Sequence, residues 1–118
     1  MKSFSVILAA VAALTPAAMA ADCYGGGRQG SDFRYTTAYK GVCNGGVNVR
    51  TKTDCEGNCC VWTTARFEGS SGRRDKCEEA FQNIMSQCVK RGRGGGEWKW
   101  NLDGLVQNYY LEGQWVCQ

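Results

Sequence analysis

The sequence predicts an α+β fold: a single disulfide-rich domain in which an antiparallel sheet carries one main helix. Three observations predict it. Eight cysteines crowd a chain of 118 residues. Short runs of alternating polar and apolar residues recur between glycine clusters, the pattern of half-buried strands joined by turns. One amphipathic helix is then followed by a hairpin with its turn residues in place.

The first twenty residues stand apart. Lys2 supplies a basic start, Phe4 to Leu14 is uncharged and apolar, and Ala18-Met19-Ala20 fits the small-x-small cleavage rule. Residues 1–20 therefore read as a secretory signal peptide, too short in its apolar run to span a bilayer. Residues 21–118 form the expected secreted domain. That domain has no proline, since Pro16 lies in the leader, and no histidine. Its size is that of one domain with a modest core, so cysteines on an oxidising route read as stabilising bridges.

Taken in order, Phe33, Tyr35 and Thr37 alternate with Arg34, Thr36 and Ala38, which predicts a first strand. Val47, Val49 and Thr51 alternate with Asn48, Arg50 and Lys52, a second. Cys60 to Phe67 is rich in β-branched and aromatic residues and predicts a third, with Val61, Thr63, Ala65 and Phe67 on one face and Trp62 opposite. The helix is predicted over Lys76 to Arg91. Asp75 would cap it with Glu78 three residues on, and Cys77, Phe81, Ile84, Met85 and Cys88 share a face. Lys90 and Arg91 suit its negative end, and Gly92 supplies the C′ residue. Glu97 to Leu102 then alternates strictly, Asp103-Gly104 makes a two-residue primed turn, and Leu105 to Glu112 returns. That register pairs Leu102 with Leu105, Trp100 with Gln107, and Trp98 with Tyr109 on one face.

The cysteines are Cys23, Cys43, Cys55, Cys59, Cys60, Cys77, Cys88 and Cys117. Eight cysteines allow 105 connectivities, and sequence does not choose among them. Geometry removes a few. Cys77 and Cys88 would lie about 16 Å apart on one helix, beyond the roughly 7 Å a bridge allows. They should therefore not pair, and both should tie the helix to the sheet. The adjacent Cys59 and Cys60 point to opposite faces of a strand and should have different partners. Cys23 and Cys117, near the ends of the domain, would suppress fraying if tied together or to the sheet.

Composition excludes several chemistries. Without histidine there is no Ser-His-Asp or Cys-His catalytic set and no histidine zinc site. Cys59-Cys60 lacks C-x-x-C spacing, so no metal and no cofactor are expected. The net charge of +3, which falls by one when Lys2 leaves, is too small to argue for nucleic acid. No second apolar run reaches membrane length, and no lipid-anchor tail is read. The expectation is a secreted, extracellular monomer without an integral membrane segment. No acidic pair sits on an apolar strand, so the chain is not expected to be an enzyme.

Two clusters are candidate sites. Trp98, Trp100, Asn101, Asn108 and Tyr110 combine aromatic rings with amides, which is how proteins hold sugars: the apolar sugar face stacks and the hydroxyls bond to polar groups. The competing use of Trp98, Trp100 and Tyr109 is as core against Phe81 and Ile84. In that case Tyr110, opposite them with Lys99, Asn101 and Asn108, is the exposed ring. Lys90, Arg91 and Arg93 form a basic cluster able to meet anionic surfaces, and Arg73-Arg74 and Lys90-Arg91 are dibasic.

The leader, the cysteine density and the runs CEEAFQNIMSQC, GGGEW and NYYLEGQWVC make the chain resemble the small secreted cysteine-rich proteins of filamentous fungi. From Cys77 to Cys117 it is similar to the glycan-binding domain of mushroom antiviral lectins, and also to killer-toxin-like α/β sandwiches. Cys23 to Cys60 align with neither. The resemblance implies a non-enzymatic virulence effector whose partner is an extracellular glycan or a cell-surface protein of a host or competitor, with glycan binding foremost. A toxin acting on a membrane or channel, and a small secreted hydrolase, are the alternatives.

Overall fold

The computed structural model describes residues 20–118. The expected signal peptide, apart from Ala20, lies outside them. The elements run β1 (Asp22–Cys23), α1 (Asp32–Cys43), β2 (Asn48–Glu56), β3 (Cys59–Gly69), α2 (Cys77–Gln87) with a 3₁₀ turn (Val89–Arg91), β4 (Gly95–Leu102) and β5 (Leu105–Cys117). The strands make one antiparallel sheet in the order β1-β4-β5-β3-β2. The chain is thus a disulfide-rich α+β domain, with two helices packed on the sheet rather than one. No helix among the described residues is long and apolar enough to cross a membrane.

The segment expected as the first strand is α1. Its buried residues are Tyr35, Ala38, Tyr39 and Val42, spaced by three and four, while Phe33 is 69% exposed. Alternation over six residues concealed this longer helical period. At its end Gly45 takes φ +115°, its N–H donates to Val42 O (3.0 Å), and the Gly46 N–H donates to Gly41 O (2.9 Å). That is a Schellman closure, which satisfies carbonyls the helix leaves free.

The second helix starts one residue later than expected, at Cys77, and Asp75 does not cap it. The Asp75 carboxylate is held instead by the Arg73 guanidinium. At the other end the α-helix stops at Gln87, four residues before the expected Arg91, and a 3₁₀ turn fills the rest, closed by Gly92 as expected. Gly92 takes φ +90° and the Arg93 N–H donates to Cys88 O (3.0 Å). The final hairpin has the expected register, with Leu102 opposite Leu105, Trp100 opposite Gln107 and Trp98 opposite Tyr109. Asp103 and Gly104 both have positive φ, as a primed turn requires.

Both helices lie on one face of the sheet, and the core fills the space between. Tyr39 stacks on Phe81 at 5.2 Å, Phe81 meets Tyr109 edge-on at 5.4 Å, and Trp98 lies 6.2 Å from Tyr109. These offset and edge geometries suit the ring quadrupoles. Gly113 lets the segment before α1 cross the sheet: the Arg28 N–H donates to Gly113 O (3.0 Å), and a Cβ at 113 would meet Arg28 O at 2.2 Å.

The bridges are Cys23–Cys88, Cys43–Cys77, Cys55–Cys60 and Cys59–Cys117. Cys77 and Cys88 avoid each other, and Cys59 and Cys60 have different partners, as expected. Cys88 ties α2 to strand β1. Cys77 ties α2 to α1 rather than to the sheet, because the segment holding Cys43 is a helix. Four bridges and no free cysteine among the described residues are consistent with a secreted or extracellular protein.

Candidate functional site

With both helices on one side, the other side of the sheet has no helix over it among the described residues. Strand alternation sends every second side chain there. The register aligns Asp22, Glu97, Tyr110, Arg66 and Asn48 in one row across all five strands. Parallel rows hold Thr64 with Arg50 and Glu112, and Trp62 with Lys52 and Gln114.

The middle of this open face is a closed network. The Arg66 guanidinium lies over the Tyr110 ring at 4.3 Å and donates to Glu68 Oε2 (3.1 Å), while the Tyr110 hydroxyl donates to Glu68 Oε1 (3.2 Å). Burial and the Glu68 carboxylate push the Tyr110 phenol up. Nearby, burial and then the Glu97 and Glu112 carboxylates push Tyr24 up to about 12.

Toward the β2–β3 turn the face becomes cationic and concave. The Arg50 guanidinium sits 4.5 Å, and Lys52 Nζ 5.7 Å, from the half-buried Trp62 ring. Beside them opens a pocket of about 260 Å³, lined by Lys52, Asn58, Trp62, Val116, Gln118 and the Cys55–Cys60 bridge among others. Its wall is stiffened three ways. Cys55–Cys60 spans the turn, Cys59–Cys117 fastens the last residue of β5 opposite it, and Gln118 N–H donates to Asn58 O (3.0 Å). On the helix side of the same tip, the Arg28 guanidinium lies 4.0 Å from the Trp115 ring centre.

The sequence-predicted residues divide between the two faces. Trp98 is 1% exposed and offers no ring to a ligand, because the hairpin's tryptophan face is the core. Trp100 is half-buried on that same covered side, with Lys76 Nζ 5.5 Å from its ring. Asn101, Asn108 and Tyr110 do lie on the open face, so the five residues do not form one site. Lys90, Arg91 and Arg93 are exposed together at the 3₁₀ turn, whose loop is held by Gln29 donating to the Val89 and Arg93 carbonyls. Arg74 belongs to no free basic patch: its guanidinium donates to Gly46 O (3.1 Å) and Gly72 O (2.7 Å), fastening the two loops beside the helices.

Trp62, Arg50, Lys52 and Tyr24 were missed as a group. The signal was present for one of them, since Trp62 falls opposite the apolar side of its strand. Its neighbours come from the edge strand and from β5, and that pairing is not local in sequence. The pocket lining contains no Asp or Glu side chain. Compared with known proteins, the chain matches no family model, no curated protein and no solved structure.

Proposed function

We propose that this is a secreted, non-enzymatic recognition protein of the fungal virulence-effector type that binds an extracellular glycan through the open face of its sheet. The observation that carries the reading is the Trp62 end of that face, where the ring is half-buried. There an indole, the Asn58 and Gln118 amides and a stapled pocket adjoin with no Asp or Glu side chain in the lining. Rings and amides held rigid in this way suit a sugar, since binding then costs little ordering entropy.

A glycan array with the purified domain, followed by titration of the tryptophan fluorescence, tests it. The expected result is saturable binding to at least one oligosaccharide, weakened about tenfold or more in Trp62→Ala. A folded protein that binds nothing on the array would refute the lectin reading. A toxin-like action on membranes has its own support in Lys90, Arg91 and Arg93, which stand exposed without ion pairs among the described residues. It predicts growth inhibition by the purified protein, lost in Arg91→Ala with Arg93→Ala.

A further inference from the structure

We infer that the glycan is acidic, with its carboxylate or sulfate held by Arg50 and Lys52 beside Trp62; this rests on the carbohydrate-binding reading above. Arg50 and Lys52 are two residues apart on β2, so both side chains reach the open face. Arg66, Arg73 and Lys99 each have a carboxylate partner, whereas Arg50 and Lys52 have none among the described residues. Asp54 and Glu56 follow on the same strand and pair with neither. The cations next to the pocket are therefore held in no close ion pair among the described residues.

Their setting favours an anion over water. A guanidinium laid on an indole has its flat face covered, while its five N–H donors lie in the plane and stay free at the edge. Such a group is preorganised for two-pronged bonding to a carboxylate or sulfate. Lys52 adds a second positive charge directly across the strand pair from Trp62. Asn58, whose Nδ2 donates to Gln118 O, and Gln118 supply amide groups for hydroxyls, and the lining holds no Asp or Glu side chain. At about 260 Å³ the pocket is small. It suits one sugar ring, with the rest of the chain lying along the face.

The test titrates the wild-type domain and the Arg50→Gln, Lys52→Gln double variant with four probes. These are an oligogalacturonate, a sulfated heparin-type oligosaccharide, a neutral chito-oligosaccharide, and vesicles containing an anionic phospholipid. One of the two acidic oligosaccharides should bind at least about tenfold tighter than the neutral one. That preference should vanish in the double variant and weaken with added salt. Which acidic probe binds tells carboxylate from sulfate. Equal or tighter binding of the neutral sugar overturns the inference and leaves the glycan reading standing. Binding of no oligosaccharide overturns both, as does binding to vesicles alone. A preference that survives in the double variant overturns the assignment to Arg50 and Lys52.

Discussion

The two faces of the sheet use the same kinds of side chain differently. On the covered face Trp98, Tyr109 and Phe81 meet ring to ring and are shut away from water. On the open face Trp62 and Tyr110 each lie against a guanidinium and remain partly wet. An aromatic ring packed on rings contributes its whole area to stability, whereas a ring under a cation keeps a charged group poised at the surface. The difference separates rings that hold the fold together from rings that hold charge at the surface.

The sharpest break of that comparison is a pair of alanine substitutions. Trp98→Ala should cost about 3–5 kcal/mol, a large part of a small domain's stability. Trp62→Ala should cost only about 1 kcal/mol. Urea unfolding midpoints measure both, and equal losses would erase the distinction. The bridges come next. Removing Cys43–Cys77, which joins the helices, frees a loop of 34 residues and should cost nearly 4 kcal/mol, about twice the cost of removing the five-residue Cys55–Cys60 closure. Thermal unfolding of the two double-alanine variants ranks them.

A smaller effect lies in the phenols. Tyr24 on the open face and Tyr109 on the covered face are both pushed up to about 12, the first by burial and carboxylates, the second by burial foremost. Each folded phenol holds its proton above the ordinary value near 10, so its contribution is complete below pH 10 and is lost as pH rises toward 12. Absorbance titration of Tyr24→Phe and Tyr109→Phe assigns the two steps. Added salt should lower the Tyr24 midpoint more than that of Tyr109, because two carboxylates raise the first while Asp75 and Arg74 act on the second with opposite signs. Smallest of all, Arg50→Gln with Lys52→Gln should change stability by no more than about 0.5 kcal/mol. A larger loss in the same urea experiment would mean that these cations serve the fold.

Legibility followed the range of the interactions. The last hairpin was readable to the residue, because a primed turn sets register locally and the tryptophan alternation agrees with it. The Gly92 closure was readable for the same reason. α1 was not: Tyr35, Thr37 and Phe33 satisfy a two-residue period over a short window, and only Ala38, Tyr39 and Val42 reveal the helical one. The site was half readable. Asn101, Asn108 and Tyr110 could be placed opposite Trp98 from the hairpin alone. Arg50 and Lys52 could join Trp62 only once β2 was known to be an edge strand and β3 to lie between it and β5.

The adjacency of Cys59 and Cys60 reaches beyond the folded state. One closes a bridge five residues long and the other a bridge of 58. During oxidation Cys55 meets both thiols at nearly the same local concentration, since they differ by one position along the chain. Capture of the wrong neighbour would leave Cys60 to seek Cys117 one register step out of place. The sheet cannot zip correctly until that error is exchanged away, a reaction of minutes to hours without help. Refolding from the reduced chain should therefore be limited by the sorting of two neighbouring sulfurs, and a disulfide isomerase should speed it.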